Sequence, residues 1–503
     1  MTAGETKRKV LFAPPLAAAL GVAALLLVWA AASLWAGSYL VPSPWTTAAD
    51  TALLLSRTFT WSQIGVTLAR ICVGFFAGFA AGLAVGILAG SRPASGAFFR
   101  PIVQFFQGMP PLLWAIPLVA LMGIGHLPTI SVIALITFPL VAVTIAEGMT
   151  TLPRPLEEML GVYAPGFLPR IRELVFPHLK PFLSAAVKAG GVLAVKASVT
   201  AEYFGAGDGI GFQIQSSYMS FRIRNLFAWA IVLILIILAF SYVLPRIGIL
   251  WPPLRRLLGL ISPRAGQAPP SAALLSALPG LFGKGSRDSD RISRGTRRIV
   301  VRGVGFSWPG EETLLEDISL TVSSGRIAVI AGDSGVGKTT LLKLIASLIR
   351  PVTGSVRRPS RLGLIFQDDR LLPWRSVEDN TALPLVYGGR PRREALWIAR
   401  SLLAEVGLAG AETRRPEELS GGMKKRAALA RCFARQPDAI LMDEPFSGLH
   451  ADARKSLWAL FLRLLSLRPL PTIIVTHFPR EVSSAASSKV YRLAGRPARL
   501  GDS

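Results

Sequence analysis

The sequence predicts two domains built for different solvents, an α-helical membrane domain of about six spans followed by a soluble α/β domain. Three observations carry that reading. The 503 residues are 51% hydrophobic and only 17% charged, with a mean hydropathy of +0.47, whereas a soluble domain averages nearer a quarter charged. The apolar excess is confined to the first half, in runs close to the ~20 residues that a helix needs to cross the hydrocarbon core. The second half alternates short strands and helices, with one glycine-rich loop set between a strand and a helix.

The apolar runs come first along the chain. They are Leu11–Leu40, Ile64–Gly90, Ile102–Gly123, Ile130–Ala146, Ala185–Phe204 and Leu226–Leu250. Pro110, Pro111 and Pro139 interrupt the third and fourth, whose ends stay open. The first run is too long for a cleaved signal peptide, and others come after it. With the N-terminus inside, twelve lysines and arginines from Lys7 to Arg256 fall in cytoplasmic segments, against Arg57, Arg222 and Arg224 outside. That bias sets a multi-pass orientation with the N-terminus and the C-terminal domain both cytoplasmic. The domains are therefore expected at 1–250, with a long cytoplasmic loop at about 150–182, and at 298–503. Between them, 251–297 has the proline, glycine and serine texture of a flexible linker.

Composition also excludes classes. The formal charge of +25 comes from scattered arginines without interleaved aromatics, which argues against a nucleic-acid partner. Cys72 and Cys432 are far apart, and His126, His178, His450 and His477 have no ligand spacing, so a disulfide framework or transition-metal site is not expected.

Ile327–Ala331 reads as a buried strand. The run Gly332-Asp333-Ser334-Gly335-Val336-Gly337-Lys338-Thr339 comes next, and Thr340 continues a helix. This is GxxxxGK[ST] in its strand–loop–helix setting. The glycines let backbone N–H groups face phosphate oxygens at a helix N-terminus, Lys338 reaches the β- and γ-phosphates, and the Thr339 hydroxyl holds Mg²⁺. ATP and Mg²⁺ are thus the expected ligands. A second buried strand, Ala439–Met442, ends in Asp443 and Glu444. Asp443 suits the magnesium ion, and Glu444 suits a base for the attacking water.

Between those sites Leu419-Ser420-Gly421-Gly422-Met423 places its serine 23 residues before Asp443. In this position it resembles the signature of the ATP-binding-cassette (ABC) ATPases. The resemblance extends over residues 298–480. Gln367 in Ile365-Phe366-Gln367-Asp368 is similar to the Q-loop, a magnesium and catalytic contact, and Ser447-Gly448-Leu449-His450 to the D-loop. His477 is similar to the switch histidine, and Trp308 to the aromatic that stacks on adenine. The family implies two cassettes closing head to tail, so that Ser420, Gly421 and Gly422 reach ATP in trans.

The run Phe366–Trp374 is similar to cassettes of the nitrate, sulfonate and taurine importers. In the membrane half, Glu158-Met159-Leu160-Gly161-Val162-Tyr163-Ala164, with Pro177 thirteen residues on, resembles the EAA coupling loop of type I importer permeases. Ala201–Gly211 is similar to the end of the fifth span in that group. Departures stand at Met159, Leu160 and Ala164, and at His450 where the D-loop usually has aspartate.

The resemblance implies a fused permease and ATPase acting as a homodimer in the lipid of the cytoplasmic membrane. A separate periplasmic or lipid-anchored solute-binding protein would deliver a small anion such as nitrate, a sulfonate or taurine. A half-exporter and an ATP-dependent membrane regulator that moves no solute are the alternatives. Coupling is expected through Glu158 and Ala164, and Lys196 and Glu202 in the fifth run are the candidate pathway residues.

Overall fold

The computed structural model describes residues 14–247, 298–477, 479 and 488–502. The expected linker at 251–297 and residue 478 after the switch histidine lie outside the described residues. Two compact units emerge. One takes the described chain up to Thr151 and again from His178, and the other takes Leu152–Pro177 together with the C-terminal half.

The first unit is helical throughout. Its elements are α1 (Pro14–Ala36), α2 (Pro44–Leu55), α3 (Thr58–Ser91), α4 (Pro93–Gly108), α5 (Pro111–Met122) and α6 (His126–Thr150). After the stretch that belongs to the other unit come α9 (Phe176–Gly205), α10 (Ile210–Met219) and α11 (Ile223–Ile247). Among the described residues five helices are long and apolar enough to cross a membrane, six if a bent pair counts as one span. That pair corrects the third expected run. Ile102–Gly123 is two helices, α4 and α5, bent by 90°. Proline is the cause: Met109 precedes Pro110 and sits extended at ψ 122°, and Pro110 itself is extended at ψ 149°. Pro139, by contrast, lies inside an unbroken α6.

Helices α3 and α6 form the main contact of this unit. Gly74, Gly78, Gly82, Gly86 and Gly90 recur every fourth residue along α3 and turn one smooth face to α6. A Cβ on Gly78 would strike the Thr137 hydroxyl and lie 2.5 Å from the Ala134 carbonyl oxygen. Only glycine lets the backbones come so close.

The second unit begins with α7 (Arg154–Tyr163), α8 (Phe167–Arg170) and a π-helical turn (Ile171–Val175). Its described strands form one sheet in the order β4-β1-β2-β9-β8-β3-β7-β6-β5. These are β1 (Arg298–Ser307), β2 (Thr313–Ser323), β3 (Ile327–Ala331), β4 (Thr353–Arg357), β5 (Leu362–Ile365), β6 (Ala439–Asp443), β7 (Thr472–Val475), β8 (Ser488–Gly495) and β9 (Ala498–Asp502). Strands β8, β3, β7, β6 and β5 run parallel, and β1, β2 and β4 form an antiparallel wing. The helices are α12 (Lys338–Ile345), α13 (Val377–Val386), α14 (Arg392–Glu405), α15 (Gly421–Ala434) and α16 (Ala451–Leu467). Continuous apolar runs mark strands covered on both faces. Along β3, Ala328 and Ile330 enter one core with α12, while Ile327 and Val329 enter another with α14 and α15. The first core also takes in Leu156, Met159, Leu160 and Tyr163 of α7.

Candidate nucleotide site and docking segment

The parallel strands gather the expected groups at their C-terminal ends, where open α/β sheets bind ligands. β3 leads into the loop Gly332–Gly337, and α12 starts at Lys338. Gly335 and Gly337 have φ of 80° and 105°, which a side chain rarely tolerates. Lys338 is 6% exposed, and its Nζ donates to the Gly332 and Asp333 carbonyls, both at 2.7 Å. The ammonium thus folds back over the loop that its backbone forms. Asp333, Ser334 and Gly335 are exposed at the loop tip, Thr339 is exposed in the first helical turn, and Thr340 is half-buried.

Asp443 ends β6, buried, with its Oδ1 lacking any hydrogen-bond partner. Burial pushes its carboxyl above the usual range. A hydrogen bond with Thr339 opposes this, while neighbouring Glu444 adds to it. An orphan carboxylate oxygen beside a threonine hydroxyl is a donor set that suits a hard divalent cation, so these residues fit magnesium.

Glu444 adopts φ 42°, uncommon for a non-glycine residue, and its N–H donates to the Val475 carbonyl at 2.9 Å. Its Oε1 lies 2.9 Å from His477 Nε2. The end of β6 and the segment after β7 therefore bring the expected base and the switch histidine together.

The other expected residues lie on neighbouring loops and helix ends. Gln367 is exposed after β5, and its carbonyl accepts from Lys425 Nζ at 2.5 Å. Trp308 comes after β1, edge-on to Phe306 with centroids 5.0 Å apart. A cavity of about 970 Å³ opens between Gly310–Leu314, the loop tip Asp333–Val336 and the β8–β9 turn at Arg496. Trp308 does not line it. Ser420 caps α15, its Oγ accepting from Met423 N at 3.4 Å. Among the described residues a Cβ on Gly421 or Gly422 would meet nothing within 4 Å.

The docking segment is tied firmly to the sheet domain. Met159 is 0% and Leu160 2% exposed, so the larger side chains at these departures fill the core under α7. Glu158 accepts from Lys343 Nζ and Arg370 Nη1, each at 2.7 Å. Burial alone would raise its carboxyl, but these two cations outweigh burial and hold it below the usual range. Tyr163 Oη donates to the Leu364 carbonyl at 2.6 Å and accepts from Leu364 N. Ala164 sits at φ −144°, outside the left-handed region, so glycine is not required there.

The two candidate pathway residues separate. Lys196 is exposed on α9. Glu202 is 0% exposed and accepts from Arg70 Nη1 at 3.1 Å, Thr67 Oγ1 at 3.0 Å and Gly211 N at 2.9 Å. Arg70 also bonds Asp208 and donates to His126 Nδ1 at 3.0 Å. Glu202 is thus a clasp between α3, α9 and the turn into α10. Sequence reasoning misses Arg70, although a lone arginine inside an apolar run is itself a signal. It also misses Glu173, which nothing in a charged loop singles out.

Comparisons with known proteins give the chain's family. The ABC transporter family model matches residues 315–447, and the model for the inner membrane component of binding-protein-dependent transport systems matches 82–248. The aliphatic sulfonates import ATP-binding protein SsuB 1 of Rhodococcus jostii (strain RHA1) is 44% identical over 185 residues, 36% of this chain and 72% of that protein. The taurine import ATP-binding protein TauB of Escherichia coli (strain K12) is 39% identical over 199 residues, 38% of this chain and 78% of that protein. A solved ATP-binding cassette, dimeric and bound to ADP and phosphate after hydrolysis, is 25% identical with a TM-score of 0.36, covering 39% of this chain and 93% of its own.

The chain belongs to the ABC transporter family. It carries an importer-type permease and its ATPase on one polypeptide, a multi-pass membrane protein that binds ATP and couples its hydrolysis to transport.

Proposed function

We propose that two copies of this chain form an importer that carries a small anion, a sulfonate such as taurine or else nitrate, across the cytoplasmic membrane. A separate solute-binding protein delivers the anion. The observation that carries the two-copy reading is the exposed N-terminus of α15 at Ser420 and Gly421. One chain supplies the phosphate loop, Asp443 and Glu444. Ser420 and Gly421 are exposed at the start of α15, and among the described residues no contact demands the two glycines. A helix N-terminus with so little bulk suits the phosphates bound by the other copy.

On this reading Lys338 exchanges the Gly332 and Asp333 carbonyls for phosphate oxygens. Thr339, the orphan Oδ1 of Asp443 and Gln367 would hold magnesium. When bound, the ion would supply charge neutralisation at the phosphate oxygens. Glu444 takes the proton of the attacking water, and His477 keeps that carboxylate aimed. Trp308 offers its face to adenine. The basic bias of the inner loops supports placing the N-terminus and ATPase unit in the cytoplasm. The names of the relatives, sulfonate and taurine importers, support an anionic solute.

Proteoliposomes loaded with Mg-ATP test the solute. Solute-binding proteins of the sulfonate, taurine and nitrate importers are added outside in turn, each with its radiolabelled solute. One of these solutes should be taken up and should raise hydrolysis several-fold above basal. Uptake of none, with hydrolysis indifferent to the binding protein, would contradict the import reading.

A further inference from the structure

Glu173 has no part in the nucleotide site, yet it is among the most heavily bonded carboxylates in the molecule. It is 2% exposed on the π-helical turn Ile171–Val175. Arg375 grips it with two bonds, Nε to Oε2 at 2.5 Å and Nη2 to Oε1 at 2.7 Å. Tyr387 Oη donates to the same Oε1 at 2.5 Å, and Trp374 Nε1 donates to the Glu173 carbonyl at 2.9 Å. Bidentate arginine–carboxylate pairs fix orientation as well as distance.

The position of the donors gives this grip its meaning. Trp374 and Arg375 close the same loop that carries Gln367 and Arg370 after β5, and Arg370 holds Glu158. Residues 367–375 are therefore fastened twice, at Arg370 to α7 and at Trp374 and Arg375 to the π-turn. π-Turns are rare and concentrate at functional sites. Each adds one residue to a helical turn, which rotates the next side chains by about 100° around the helix axis. This one carries the buried glutamate.

We infer that Glu173 is a positioning residue that makes a second joint between the loop 367–375 and the segment 152–177, distinct from Glu158. Motion of residues 367–375 then carries Phe167–Pro177 along with α7, instead of α7 alone. The joint presupposes ATP-driven transport, but its test needs no solute.

Hydrogen–deuterium exchange on the full chain in nanodiscs reads it, in a Glu444→Gln background with and without Mg-ATP. ATP should change protection in both 154–163 and 167–177. Glu173→Ala should cut the ATP response of 167–177 at least ~5-fold while leaving those of α7 and the phosphate loop within about twofold. Glu158→Ala should do the reverse. Tyr387→Phe, which keeps the Arg375 pair, should give a partial loss and is read in its place if Glu173→Ala does not fold. A parent protein with no ATP response at 167–177 would overturn the inference. So would an unchanged response in Glu173→Ala, or one that collapses together with that of the phosphate loop. Absent solute uptake with these responses intact would instead count against the import reading alone.

Discussion

Helix α3 against α6, and α7 against the sheet domain, are both close helix contacts, made with opposite side chains. The first uses glycine every fourth residue, and a Cβ at Gly78 has no room. The second uses Leu156, Met159, Leu160 and Tyr163, all buried. Solvent explains the difference. Among lipid tails a leucine gains little by leaving one apolar surface for another, so association depends on close backbone approach and dispersion. In a water-soluble domain each buried leucine or methionine contributes about 1.5–3 kcal/mol, so bulk is favoured. The charges differ in the same sense. Arg70 and Glu202 satisfy each other deep within the helices, whereas Glu158 meets two cations at a partly exposed edge.

Substitution can break this contrast, most severely in the membrane unit. Gly78→Leu should cost more than ~3 kcal/mol, since overpacking a contact without slack forces the helices apart. Gly65→Leu on the same helix, where a Cβ would meet nothing within 4 Å, should leave the melting temperature of the purified protein unchanged. Equal effects at the two positions would remove the glycine face from its role. Met159→Ala should be milder, about 2–4 kcal/mol for a buried methionine truncated to alanine. It should lower the melting temperature of the ATPase unit while ATP affinity holds. A neutral result would mean that burial does not hold α7 down.

Local spacing explains what is legible in the sequence. The phosphate loop and the strand ending in Asp443 and Glu444 are contiguous runs whose chemistry is written within a few residues. Hydropathy averaged over a window, however, carries no direction. It merges α4 and α5 into one run although Pro110 stands between them and Pro111 starts α5, and it overlooks α2. The same averaging hides the four-residue period of glycines from Gly74 to Gly90. Arg70 and Glu202 lie 132 residues apart, and Glu173 and Tyr387 lie 214 apart. Partners so distant are joined only by the fold. Lys196 and Glu202 look like neighbours on one span, but six residues along a helix of 3.6 per turn place them on different faces.

Nucleotide occlusion in the full-length Glu444→Gln protein tests the two-copy ATP site most directly. Hydrolysis should slow at least ~10²-fold, as expected when a positioned base is lost. After a chase, one ATP per chain should stay trapped on a particle of two chains. Adding Ser420→Arg should abolish trapping while initial ATP binding persists, because the blocked helix end belongs to the other copy's site. ATP retained on a single chain, or trapping indifferent to Ser420→Arg, would contradict a site shared between two copies.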